Sequence, residues 1–418
     1  MRVWQERERR RLQRLVAKRR NRGGVRSHPL DVWPKRAPLI AQKHRHVLVV
    51  PKVFSFIDNP LETMRKLDEL RSAAGNRSVR EIYIDHTKCE RLDLCASVVM
   101  DVLILRAMGQ RRKVQSLKLH GTLSGRPDVD MMIRASGILK QIGHPGSVSP
   151  DQSNVIVCDL YTGSAGDPSR TTKAELAATK LTEYFDRCLR TESYALTAEG
   201  KNYLSSLISE VIANAEEHSH RGGGKLWYTI AYYNRLPAGG GGECHVVLFN
   251  FGDSIVESFS QKGTSEKITQ EIRELAETHR SRGFLGLTKG WDEETLWTLY
   301  ALQEGVSRFR GSPGGQDRGN GTMEVIDFFT SLAGRAPKMA LISGKAFILF
   351  DGTYRPRAER VGAETRKIIA FNDANSLELP PDERFVQSLS LPFPGTMVSM
   401  RFILNQAHLK SLEGGPRS

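Results

Sequence analysis

Apolar and polar positions alternate with two different periods along this chain. Residues Val79–Asp85 (VREIYID) alternate apolar and polar, which predicts a strand. His46–Pro51, Val114–His120 and Val155–Leu160 (VIVCDL) predict three more strands. Between them, Leu61, Met64, Leu67 and Leu70 recur at close to helical spacing over about 60–74. Val98, Val99, Val102, Leu103 and Leu105 mark a helix that starts near Asp93, and a further helix is predicted over about 127–141. Strands alternating with helices predict a small α/β layer domain over 46–162.

The pattern changes in the second half. A loop is predicted over 161–171 (YTGSAGDPSRT), followed by a helical connector within 163–194. Thr197 is placed to cap the next helix, and strands are predicted at about 225–233 and 244–250, joined by the turn Gly239–Gly242. A long polar stretch, 256–318, has little strand character. A helix is predicted at about 321–333. Met339–Ile342 and Ala346–Phe350 flank Ser343-Gly344-Lys345 as a hairpin would, and Thr396–Leu404 is the last strand. Helix, paired strands, a lid-like segment, helix and strands predict an α/β sandwich over 195–405, with a tail at 406–418.

On a helix over 203–218, at about 100° per residue, Leu204, Leu207, Ile208, Val211, Ile212 and Ala215 form an apolar sector. Glu210, Asn214 and Glu217 stack on an adjacent narrow sector, while Ser205, Ser209 and Glu216 fall on the remaining side. A surface helix needs only a core face and a solvent face, so the polar seam marks a candidate pocket edge. A carboxylate and an amide one turn apart suit holding Mg2+ against phosphates. Three later segments add to this. Asn250 ends an apolar strand and is followed by Phe251-Gly252, an arrangement able to read a flat base edge. Arg318-Gly319-Asn320-Gly321-Thr322 leads straight into a helix and can present backbone N–H groups to phosphate. Gly395-Thr396 opens the final strand with a hydroxyl.

These four segments, in this order, resemble the GHKL (Bergerat-fold) ATPase domain over about 195–405, the version in anti-sigma-factor serine kinases most of all. That resemblance implies an α/β sandwich whose mixed sheet is covered by helices. It implies ATP and Mg2+ as ligands, Asn214 as the metal ligand and Glu210 as the general base. It also implies that Asn250, Gly252 and Thr396 lie at the adenine, that Arg318, Gly319, Asn320, Gly321 and Thr322 lie at the phosphates, and that 256–317 forms a lid. The family has aspartate where this chain has Asn250, so the resemblance implies that Asn250→Asp tightens adenine binding. Residues 82–96 resemble STAS-like (anti-sigma antagonist) domains, although Leu94 and Cys95 occupy the neighbourhood of that family's phosphorylated serine.

Composition adds a partner class. The net charge is +14, yet residues 1–45 carry 15 Lys+Arg against 3 Asp+Glu, leaving the rest of the chain near +2. The basicity therefore belongs to an arm and linker, able to meet nucleic acid or an acidic surface, or to act only as a solvated tail. No apolar run of about 18 or more residues predicts a membrane span, the arginine-rich start is no secretory signal, and five scattered cysteines predict neither a zinc site nor a disulfide framework, so a cytoplasmic location is expected. The favoured function is an ATP-hydrolysing regulatory switch acting on a protein partner. Two alternatives are a serine/threonine protein kinase of the anti-sigma type and a nucleotide-gated scaffold that binds nucleic acid. A homodimer is left open.

Overall fold

The computed structural model describes residues 44–111, 116–148, 154–164, 169–218, 226–237, 240–259, 270, 272–275, 291–304, 306, 321–332, 335–361 and 364–413. The basic arm before residue 44, most of the expected lid, Arg308, Arg310 and Arg318–Asn320 lie outside them. The protein is mixed α/β with several sheets.

The amino-terminal unit holds β1 (Arg45–Val49), β2 (Val53–Phe54), α1 (Pro60–Gly75), β3 (Glu81–Asp85), β4 (Arg91–Leu92), α2 (Leu94–Arg111), β5 (Lys118–Thr122), α3 (Pro127–Ser136) and α4 (Ile138–Gln141). β1, β3 and β5 form a parallel sheet in that order. The single helix expected over 127–141 breaks at Gly137, where a Cβ would lie 2.7 Å from the Ile133 carbonyl oxygen. α2 buries 13 of its residues, including Cys95, on more than one side. A helix apolar all round needs a second partner besides its own sheet.

That partner is a five-stranded sheet made of β6 (Val155–Ser164), β7 (Leu226–Arg235), β8 (Gly242–Phe251), β9 (Arg335–Phe350) and β12 (Val386–Leu404), ordered β6-β7-β8-β12-β9. Two short strands, β10 (Arg357–Val361) and β11 (Glu364–Ile368), pair separately. Along β7 and β8, Tyr228, Ile230, Tyr232, Val247, Phe249 and Phe251 face the amino-terminal unit and share its core. Ala231, Tyr233 and Cys244 face the opposite way, into a second core. That core is built with α5 (Arg170–Thr191), α6 (Ala198–His218), α8 (Glu293–Ala301) and α9 (Gly321–Leu332); a short α7 (Ile255–Phe259) and a last α10 (Gln406–Glu413) complete the chain. Each large side chain so buried contributes about 1.5–3 kcal/mol.

Four sequence-based expectations are corrected here. The strand at Val155–Leu160 pairs with β7 in the large sheet, and β6 runs on to Ser164 through the segment read as loop. Local alternation marks a strand but not its partner, so the amino-terminal layer ends before residue 155. The large sheet is antiparallel at every pairing, where a mixed sheet was implied. Ser343-Gly344-Lys345 is no hairpin: β9 continues through it, paired with the long β12, whose register shifts around Pro392 and Pro394 absorb the irregularity. Finally, part of the expected lid is core, since Leu296, Trp297, Leu299 and Tyr300 of α8 are buried. Among the described residues no helix is long and apolar enough to cross a membrane.

One ion-pair cluster ties the two units. Asp58, just before α1, accepts from Arg401 Nη1 at 2.8 Å and Nη2 at 3.2 Å on β12, and from Lys338 Nζ at 2.8 Å on β9. Burial pushes the Asp58 carboxyl up, but hydrogen bonds and charge from Arg401 and Lys338 outweigh it and bring it down to about 2. The bidentate arginine fork fixes geometry as well as charge.

Candidate functional site

α6 begins where the Thr197 hydroxyl accepts the Gly200 N–H at 3.0 Å, the predicted cap. Its predicted sectors are present. Leu204, Leu207, Ile212 and Ala215 are buried, Asn214 is half-buried and Glu210 is exposed. The helix packs on α5, α9, β7 and β8. Glu217 and His218 close it, but their side chains lie outside the described set.

In the last turn of α6, the Ala215 carbonyl accepts a hydrogen bond from Asn250 Nδ2 at 2.6 Å. The other end of the same amide, Oδ1, accepts the Thr396 N–H at 2.8 Å. Asn250 is fully buried. Because one neighbour can only accept and the other can only donate, they fix which way the amide faces. A single side chain thus joins the end of β8, the last turn of α6 and the start of the Thr396 segment.

Around this node the backbone is tight. The Gly252 N–H donates to the Pro394 carbonyl at 3.1 Å. Gly395 has φ +136°, and a Cβ there would sit 2.2 Å from the Asn250 carbonyl oxygen. Gly395→Ala is therefore expected to cost about 2 kcal/mol through backbone strain alone, read as a lower urea midpoint with unchanged slope. Wild-type stability in that variant would show that the segment is free to move aside.

The hydroxyls of Thr396 and Ser343 lie 2.9 Å apart, and Ser343 Oγ accepts the Ile255 N–H at 2.8 Å. Ser343 extends the node to the start of α7. Sequence reasoning missed it, because the bulge that presents it read as a turn. Nearby, the Glu294 carboxyl packs against Gly344 (φ +55°), where a Cβ would meet its oxygen. Burial, aided by Asp292, raises Glu294 above the usual range despite hydrogen bonds from the Lys345 backbone and Ser254.

Of the residues singled out, Asn250, Gly252 and Thr396 come together at one end of the sheet, against Ala215, the residue after Asn214, with Glu210 one turn back along α6. Gly321 and Thr322 start α9, which packs on α6, but their side chains lie outside the described set, as Arg318, Gly319 and Asn320 do altogether. Among the described residues no group of three or more His, Cys, Asp or Glu is placed to hold a metal. A cation at Asn214 would therefore take most of its ligands from elsewhere, as Mg2+ does from phosphates and water. Comparison of the chain with protein-family models, with curated proteins and with solved structures yields no match in any of the three, so the site is read from its own geometry.

Proposed function

We propose that the carboxy-terminal unit binds an adenine nucleotide with Mg2+ in a GHKL-type sandwich, and that hydrolysis there switches contacts to a protein partner through a STAS-like amino-terminal unit. The observation that carries this is the Asn250 bridge. It brings together three segments, the last turn of α6 beside Asn214, the Asn250-Phe251-Gly252 strand end 35 residues on, and Gly395-Thr396, whose Thr396 is 146 residues beyond Asn250.

In this reading Asn214 offers its amide oxygen to the cation at the half-buried edge of α6. Glu210, a turn away and exposed, orients and deprotonates the attacking water. Gly252 and Gly395 let the backbone approach a flat ring closely, while Thr396 and Ser343 present hydroxyls there. The start of α9 offers backbone N–H groups to phosphate. Mg2+, when bound, neutralises charge on the phosphates. Asn250 holds the frame: with both amide ends engaged inside the protein, it positions Thr396 and the α6 terminus.

A melting series with ATP, ADP and GTP, with and without magnesium, tests the reading. A ligand at a hundred times its Kd adds about 2.7 kcal/mol of stability. Asn214→Ala is expected to abolish the magnesium-dependent part of the ATP shift. Glu210→Ala is expected to keep that shift and lose phosphate release by roughly 100- to 10,000-fold. An unchanged magnesium-dependent shift in Asn214→Ala would remove the metal assignment, and wild-type turnover in Glu210→Ala would remove the base.

A further inference from the structure

The amino-terminal unit contains a second candidate site, remote in the fold from the Asn250 node. The three strands of its parallel sheet end on one side, and the loops that follow them enclose an open cavity of about 630 Å3. Val49 ends β1 and Val50 to Lys52 follow it, Thr87 to Glu90 follow β3, and Ser124 and Arg126 follow β5. The carboxyl edge of a parallel sheet is where open α/β folds place their ligands, and the volume lies in the ordinary range for small-molecule pockets.

Its charged lining comprises Lys52, Lys66, Lys88 and Arg126 against Glu62 and Glu90. Lys52 and Glu90 pair with each other at 3.1 Å. Lys66 reaches Glu69 at 3.0 Å, and Arg126 approaches Asp128 only to 3.7 Å. Lys88 makes no ion pair among the described residues. The lining alone therefore carries two more positive than negative charges.

Two helices start at this cavity without side-chain caps. α1 contributes Glu62 from its first turn, and the side chain of its N-cap, Asn59, is turned away to donate to the Val53 carbonyl at 3.0 Å. α3 has Arg126 at its N-cap position and Pro127 next, again with no side-chain cap. Helix starts of this kind present N–H groups and the positive end of the helix dipole. The wall between them is rigid. Asp85 Oδ1 accepts from Thr87 N at 2.9 Å, from Thr87 Oγ1 at 2.6 Å and from Thr122 Oγ1 at 3.0 Å. Asp130 accepts the N–H groups of Ser124 at 2.8 Å and Gly125 at 3.1 Å. Behind Thr87, His86 is 6% exposed, with Nδ1 held by the Thr122 carbonyl and Nε2 without a hydrogen-bond partner.

We infer that this cavity is a binding site for a phosphate-bearing small molecule, with its phosphate held by Lys88 and Arg126 between the starts of α1 and α3. Lys66 and Arg126 share their charge with Glu69 and Asp128 just outside the lining, so Lys88, exposed and in no ion pair among the described residues, is the cation most available to a phosphate, with Arg126 on the same lining. This site is independent of the proposed nucleotide site, and the test separates them.

The full-length chain would be titrated calorimetrically with inorganic phosphate and with pyrophosphate at low salt. Four proteins would be compared: wild type, Lys88→Glu/Arg126→Glu, Asn214→Ala, and a control reversal on the outer face of the same sheet, Arg45→Glu. Both substituted cavity side chains are exposed, so folding is expected to survive and is verified by circular dichroism. Binding by wild type, kept in Asn214→Ala and in Arg45→Glu but weakened at least tenfold in the double reversal, is the expected result. Binding lost in Asn214→Ala and kept in the double reversal would overturn the inference by placing the anion at the other site. Equal loss in Arg45→Glu would reduce it to a long-range charge effect, and binding by no protein, or unchanged by any substitution, would overturn it as well.

Discussion

Replacing Asn250 by aspartate is expected to lower the unfolding free energy by about 3–5 kcal/mol at pH 8, and by far less near pH 4. The amide donates from Nδ2 to the Ala215 carbonyl and accepts at Oδ1 from Thr396. A carboxylate keeps the second contact but turns a buried negative charge onto the Ala215 oxygen, an acceptor facing an acceptor. No cation is paired with Asn250 to offset that charge among the described residues, and the position is fully buried. Desolvation and the carbonyl both favour the neutral acid, so the new carboxyl titrates above its ordinary value in the folded protein. A group with a raised folded pKa costs nothing below its unfolded pKa, and stability is lost as pH rises through the folded one. In its neutral form the acid O–H takes the place of the amide N–H, which is why the loss shrinks in acid. Urea unfolding of both proteins at several pH values measures the difference. A variant as stable as wild type at pH 8 would show that Asn250 does not hold the α6 terminus to Thr396.

The resemblance carries a separate expectation, that aspartate at position 250 tightens adenine binding; the hydrogen bonds of Asn250 bear on stability instead. The sequence shows an amide at a strand end followed by glycine. What it cannot show is that the nearest acceptor is a helix carbonyl thirty-five residues earlier, because that depends on how α6 docks on the sheet. The elements themselves were more legible than their partners. The apolar sector of α6 is buried where 3.6-residue periodicity places it, and α2 is buried continuously from Leu94 to Ile104, as its dense run of aliphatic residues requires. β6 was recognisable as a strand, yet its assignment to the large sheet rests on contacts such as Gly163 against Trp227. A Cβ at Gly163 would lie 2.5 Å from that indole, a reason for glycine that only the pairing reveals. β9 and β12 were each read as shorter than they are. Gly344, Pro392 and Pro394 are ordinary turn signals locally, but the long register between the two strands overrides them. Ser343 stayed hidden for the same reason.

Asp101→Asn is expected to shift stability relative to wild type in its own favour by about 5 kcal/mol between pH 4 and pH 8, from less stable in acid to more stable at pH 8. Asp101 lies midway along α2, 2% exposed, and its Oδ2 has no hydrogen-bond partner. Among the described residues, the polar group that favours its charged form is the backbone N–H of Ile138, at the start of α4. Arg106, the next cation along the helix, is committed elsewhere, donating to the Tyr228 hydroxyl at 2.9 Å. Burial pushes the Asp101 carboxyl up to about 8, against a slight downward pull from Ile138. Below about pH 4 the acid is neutral in both folded and unfolded chains, and its ionisation costs the fold nothing. As pH rises toward 8 the unfolded chain releases the proton while the folded one keeps it, and stability falls throughout that window; above 8 both are ionised and the loss is complete. Asparagine does not ionise, so it escapes the whole of this loss. It does bring an N–H group into a place with no acceptor, a roughly constant penalty of about 1–3 kcal/mol that offsets the curve without changing its slope. The two proteins are therefore expected to cross, with wild type the more stable in acid and Asp101→Asn the more stable at pH 8. Chemical unfolding from pH 5 to pH 8.5 reads this directly. Parallel curves for the two proteins would mean that Asp101 titrates normally and that the space between α2 and α4 admits water or a cation.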